Sequence, residues 1–188
     1  MKGLATLVFL ASVVLFSGCA EKKRVIYIDN RALCKAPTAT LYVKDVAIQN
    51  NSKTFNITTN EVKLSLAEAL SETNCYVVKL EDRDASSLEN TNEYVLSTKV
   101  DIYQEKDVIE ENIFKKEEKE KITMLIALIA NNNGNKVLAN AKSELSIDKA
   151  KYLGVEKGID ERGDKELILN TATKKVSIAL KEGFSKLN

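Results

Sequence analysis

"ITMLIALIANNNGNKVLANAKSELSI", residues 122–147, is the stretch on which the fold turns. Residues 122–130 are apolar on both faces, as in a central strand or one whose second face meets a helix or a partner. "NNNGN" at 131–135 supplies residues tolerant of positive φ, so the chain reverses there. Beyond the turn, Val137, Ala139, Ala141, Leu145 and Ile147 point one way. Lys136, Asn140, Lys142 and Glu144 point the other, a period of two that defines a half-solvated strand. The stretch is a hairpin.

Upstream, Tyr94, Leu96, Val100 and Ile102 share one face of a run from Tyr94 to Tyr103. Val95, Ser97, Lys99, Asp101 and Tyr103 share the other, which makes a third strand and hence a meander. Further upstream lies "TATLYVKDVAIQN" (38–50), where Leu41 and Val43 fall out of step with Val46 and Ile48. Such a slip predicts a bulge near Asp45. Thr58 followed by Glu61 is a capping box, and Val62, Leu66, Ala69 and Leu70 recur at helical spacing, so a helix is expected over 59–72. "CYVVKL" (75–80) reads as a buried strand. Strand, helix and strand in about 40 residues make a βαβ unit with parallel neighbours. Downstream, Gly154, Gly158 and Gly163 suggest a loop with Asp164 as helix cap. Leu169, Ala172, Val176, Ala179, Leu180 and Gly183 then form the stripe of a last helix. The expected fold is α+β: a βαβ unit, an antiparallel three-strand meander, and a C-terminal helix packed on the sheet, in one domain over 40–188.

The front of the chain has a different character. Lys2 precedes an apolar run from Leu4 to Phe16, the layout of an export signal. A transmembrane span needs about 20 apolar residues, and this run is shorter. Phe16-Ser17-Gly18-Cys19 resembles the lipobox of bacterial lipoproteins, with Phe16 where that family usually has leucine. The resemblance implies cleavage after Gly18, a diacylglycerol on the Cys19 thiol and an N-acyl chain, typically palmitate, on the new amino terminus. Several acyl chains together make a durable anchor. Ala20 resembles the residue that permits sorting to the outer membrane, so the expected location is the periplasmic face of that membrane. Residues 1–18 are then a signal peptide and 19–39 a lipidated tether. Within that tether "VIYID" (25–29) is either an edge strand or a segment laid on the domain.

Composition narrows the function classes. Removing residues 1–18 takes one lysine and leaves 27 basic and 27 acidic residues, so no basic excess draws the mature chain to nucleic acid. The chain has no histidine, which removes the commonest general base and metal ligand. No glycine-bounded elbow surrounds Ser86 or Ser87, and the 7 glycines are scattered rather than gathered in a phosphate loop. Glu81, Asp82 and Asp84 lack EF-hand spacing. No catalytic residue, metal site or cofactor other than the lipid on Cys19 is expected. Cys34 and Cys75 both precede strands and would lie near one sheet edge. In an oxidising compartment they form a bridge or remain two separate buried thiols.

Residues 104–121, "QEKDVIEENIFKKEEKEK", hold the densest charge. They are either an arm reaching a partner or solvated strand ends that hold Ile109, Ile113 and Phe114 against the body. With the lipobox, "TLYVKDVAIQN", "EVKLSLAEALSETNCYVV" and "NEYVLSTKVDIY", the chain resembles a recurring envelope fold. That fold is shared by the curli-channel lipoprotein, the lipoprotein activators of penicillin-binding proteins and the N-terminal domain of TolB. "NGNKVLANAKSELSI" and the last helix are also similar to YajG-type lipoproteins. The resemblance implies a non-enzymatic adaptor or assembly factor for an envelope machine serving peptidoglycan synthesis, secretion or a flagellar structure. It would work through protein–protein contacts, with a homo-oligomer as one form. The alternatives are a ring or secretion-channel component and a lipoprotein enzyme. Met124, Ile126 and Leu128, with Ile109 and Phe114, are the candidate partner-binding residues.

Overall fold

A computed structural model of the chain describes residues 32–53, 55–112, 114–152, 155–156 and 161–186. Residues 1–18, Cys19 and "VIYID" lie outside the described residues. The elements are β1 (Ala39–Asn50), α1 (Thr59–Glu72), β2 (Tyr76–Lys79), β3 (Glu93–Glu111), β4 (Lys115–Asn131), β5 (Lys136–Tyr152), β6 (Val155–Glu156) and α2 (Glu161–Phe184). They form one sheet in the order β2-β1-β3-β4-β5-β6. β1 lies parallel to both β2 and β3, and the remaining pairs are antiparallel. The α+β arrangement of a βαβ unit, a meander and a C-terminal helix is the one the sequence predicts.

Local chemistry explains the elements. The Thr58 hydroxyl accepts from the Glu61 amide while the Glu61 carboxylate accepts from the Thr58 amide, so two unpaired donors at the start of α1 are satisfied. Val62, Leu66, Ala69 and Leu70 are the face it buries. The helix stops at Thr73, and Asn74 takes a φ of 55°, a left-handed turn that asparagine tolerates. That turn aims Cys75 into β2. The register of β1 on β3 shifts between Val43 and Val46, the bulge read from the phase slip at Asp45.

Both helices cover one face of the sheet. Leu41, Val43, Leu96, Val100, Ile102, Met124, Ile126 and Leu128 meet Leu66, Leu70, Ala172, Val176 and Leu180 in a single core. α1 and α2 touch through polar groups as well: the Ser65 hydroxyl donates to Asn170 Oδ1 at 3.0 Å and lies 3.0 Å from the Thr173 hydroxyl. The opposite face carries a small cluster in which the connector after β2 places Leu88 and Ala85 over Tyr42 and Val95. The Lys79 ammonium and the Arg83 guanidinium lie over the Tyr42 ring.

Three expectations need correction. The turn after β4 uses no positive φ at its asparagines. Instead the Asn132 side chain accepts from the Gly134 and Asn135 amides at 3.0 and 2.8 Å. α2 begins at Glu161, so Gly163 and Asp164 are inside its first turns, where acidic groups suit the positive helix end. β3 and β4 also run far past Tyr103 and Ile122, to Glu111 and back to Lys115. Of the two readings of the charged stretch, the arm is the one observed.

Candidate functional site

The register of the meander creates an arm. β1 stops beside β3 at Asn50 and Ile102, but β3 continues to Glu111. β4 pairs with it almost to the tip, and β5 flanks β4 from Lys136 to Tyr152. At the tip the Asn112 side chain accepts from the Phe114 and Lys115 amides at 3.0 and 2.8 Å, the same device that closes the turn at Asn132.

Charge holds the arm in register. Glu105 lies opposite Lys121, Lys106 opposite Glu120, and Asp107 opposite Lys119. Opposite charges at facing positions favour this pairing, and a slip would set like charges together. Lys115 bridges Glu110 and Glu117 at 2.9 and 2.6 Å; Lys116 bridges Glu111 and Glu118 at 3.4 and 3.0 Å. The hydrogen bonds that the Lys115 ammonium donates to Glu117 and then Glu110 raise its pKa, and that of Glu118 is lowered chiefly by Lys116. These groups are solvated, so each pair contributes little alone. Their alternation specifies alignment.

At the root of the arm, a cleft of about 600 Å³ opens between the starts of both helices and β4–β5. Phe55, Ile122 and Ile147 supply apolar wall, and Glu61, Glu120, Lys149 and Lys165 supply charge. Glu120 is 2% exposed, ion-paired to Lys149, and accepts from the Gln104 amide. Lys165 lies 2.5 Å from Glu61. The Lys165 ammonium, followed by the Thr58 backbone amide, holds the Glu61 carboxyl down at about 2. The cleft is a closed set of ion pairs over an apolar floor.

The sequence-derived residues separate into groups. Met124, Ile126 and Leu128 are 0%, 1% and 0% exposed and pack under the helices, so core packing replaces the partner contact expected of them. The outward residues of that strand are Leu125, Ala127 and Ile129. Ile109 and Phe114 are 61% and 67% exposed on the arm, joined by Val108 at 55%, and none of them is held against the body. Cys34 and Cys75 are bonded, with Cα atoms 5.0 Å apart. Cys19 lies outside the described residues. Gln104, Glu120 and Lys149 were not singled out by sequence reasoning. The mirror order of charge about residue 113 is the signal that favours the arm over the solvated strand ends.

No family model matches the chain, and no curated protein matches it. Among solved structures it is similar to a homolog of the neuraminyllactose-binding hemagglutinin from Helicobacter pylori, at 14% identity and a TM-score of 0.48 over 86% of this chain and 93% of that one. A minor lipoprotein from Acinetobacter baumannii matches at 11% identity and 0.35, covering 81% and 94%. Rare lipoprotein B from Shewanella oneidensis matches at 9% and 0.27, covering 76% and 94%. None of these scores reaches the level at which a common fold follows. No helix among the described residues is long and apolar enough to cross a membrane.

Proposed function

We propose that this chain is a lipid-anchored envelope lipoprotein that acts without catalysis, as an adaptor holding its arm out to a protein partner. The observation that carries this reading is the placement of the two ends. The described chain enters at the foot of the sheet, where the Leu33 amide donates to the Thr73 carbonyl at 2.8 Å and Cys34 bonds Cys75. The register Ala39↔Tyr76 and Thr40↔Glu93 puts that foot beside the starts of β1, β2 and β3. The arm tip lies at the far end of β3, 19 residues long, or roughly 60 Å at about 3.4 Å per residue. A lipid on Cys19 would therefore hold the foot to the bilayer and direct Val108, Ile109 and Phe114 away from it. Exposed apolar groups at the end of a charge-aligned arm have no core to fill, which supports a role in contact. Sorting to the periplasmic face of the outer membrane, as Ala20 implies, and the curli-channel, penicillin-binding-protein-activator and TolB likenesses belong to this proposal and rest on the sequence alone.

The test is chemical and cellular. The native protein should begin at Cys19 and carry acyl mass. Cys19→Ala should move it from the membrane fraction to the soluble envelope fraction. Retention of that variant in the membrane, or an unmodified thiol, would remove the tether. A crosslinker placed at residue 114 should capture the same partner in cells where one placed on Leu64, on the exposed side of α1, does not.

A further inference from the structure

We infer that the outer edge of β3, residues 105–111, is a docking edge for an extended, basic–apolar segment of another protein, added as a strand beside the arm; this rests on the adaptor reading above. β1 ends against Ile102, with the Asn51 amide donating to the Ile102 carbonyl at 3.0 Å. Past that point no described strand pairs with β3 on the side away from β4. Alternate residues of this seven-residue run, about the length of an ordinary strand, thus turn their backbone donors and acceptors outward at an edge, the others being bonded to β4. All of residues 105–111 are exposed.

The side chains on this edge state what fits it. In β4 the even-numbered residues 122–130 face the core, so Glu120, Glu118 and Lys116 continue that face and Lys121, Lys119 and Glu117 continue the other. Opposite residues of an antiparallel pair share a face. Glu105 (opposite Lys121), Asp107 (opposite Lys119) and Glu110 (opposite Glu117) therefore line up on the helix-free face. The register shift between Val108 and Glu110 brings the third carboxylate into this row, since unbroken alternation would have put Ile109 there. Lys106, Val108 and Glu111 occupy the other face. Glu105 and Asp107 enter no ion pair among the described residues, whereas Glu110 and Glu111 bind Lys115 and Lys116.

From Glu105 to Glu111 the strand carries four acidic residues and one basic, a net charge of −3. A second copy of this chain is a poor occupant, because two such edges would meet with like charge. A strand with lysine or arginine at alternate positions meets the carboxylate row, and its apolar positions meet Val108. Strand addition of this kind takes affinity from the backbone and specificity from alternate side chains.

The full chain, purified in detergent, would be titrated with an eight-residue peptide of alternating lysine and valine, followed by amide shifts and hydrogen exchange. Two control peptides are an alternating glutamate–valine sequence, and the lysine–valine sequence with proline at two central valines, which keeps its charge and cannot pair as a strand. The expected result is saturable binding of the first peptide alone, with slowed exchange across 105–111. Glu105→Gln with Asp107→Asn, which sets no like charge against Lys121 or Lys119, should weaken it by about threefold or more while exchange of the β4 amides stays as in the parent. Equal binding of the proline peptide, perturbation centred away from 105–111, no binding, or a homodimer through this edge would each overturn the proposal. An unlipidated Cys19 would sink the tether reading and leave the peptide result standing. Absent peptide binding, with Cys19 acylated and residue 114 still crosslinking its partner, would sink the docking edge alone.

Discussion

Glu61 serves three partners at once: the Thr58 amide and hydroxyl, each at 2.8 Å, and the Lys165 ammonium at 2.5 Å. It closes the start of α1 and ties it to the first turns of α2. Its folded pKa of about 2 lies below the ordinary 4.5. A depressed carboxylate contributes stability that is present above its unfolded value and is lost as pH falls through its folded one. The contribution should therefore fade between about pH 4.5 and 2. Urea unfolding across that range should show a shallower acid decline for Glu61→Gln than for the parent. Thr58→Ala should cost about 1 kcal/mol near neutral pH, the usual value of a helix cap. A pH slope identical in parent and Glu61→Gln would show that this carboxylate is not the group being titrated.

Two element-level contacts carry sharper expectations. A Cβ on Gly183 would come within 2.6 Å of Val137 Cγ1 and 3.4 Å of the Leu138 carbonyl. Valine is stiff at χ1, so it cannot swing aside. Alanine gains at most about 1 kcal/mol of helix propensity in mid-helix. Gly183 is next to the last residue of α2, where that gain is smaller. Overpacking costs about 1–3 kcal/mol. Gly183→Ala should lower the melting temperature. At the arm's root, Glu120→Leu would leave Lys149, only 14% exposed in its side chain, with its buried partner gone. Breaking such a pair from one side costs about 3–5 kcal/mol, while replacing both members with apolar groups is often near neutral. Glu120→Leu with Lys149→Met should therefore be more stable than Glu120→Leu alone, as chemical denaturation would measure. These elements also show what sequence makes legible. Period and capping were readable for α1, the bulge in β1 and the two faces of β5, because each is written in adjacent residues. The arm was legible only as one of two readings, because its lysines and glutamates are placed to match a facing strand, and that complement appears only once the pairing of β3 with β4 is known. The burial of Met124, Ile126 and Leu128 was ambiguous for a related reason. A strand apolar on both sides does not say which side the helices will take.

At the scale of the whole molecule, the chain before β1 is stitched to the body by more than one kind of bond. The Asn74 side chain donates to the Cys34 carbonyl at 3.0 Å, and Thr38 donates to the Cys75 carbonyl at 2.8 Å through its amide. The disulfide spans 41 residues of sequence and encloses β1 and α1. Closing a loop of that size stabilises by about 4 kcal/mol through the unfolded chain. Cys34→Ser with Cys75→Ser, or reduction, should shift the urea midpoint by a corresponding amount while leaving the strand content of the arm unchanged. The bond has a mechanical consequence too. Tension arriving along the residues that precede Cys34 meets a covalent fork, one prong running into β1 and the other into β2 at Cys75. Two neighbouring parallel strands are then loaded side by side in shear, and the sheet resists as a unit where a single strand would peel.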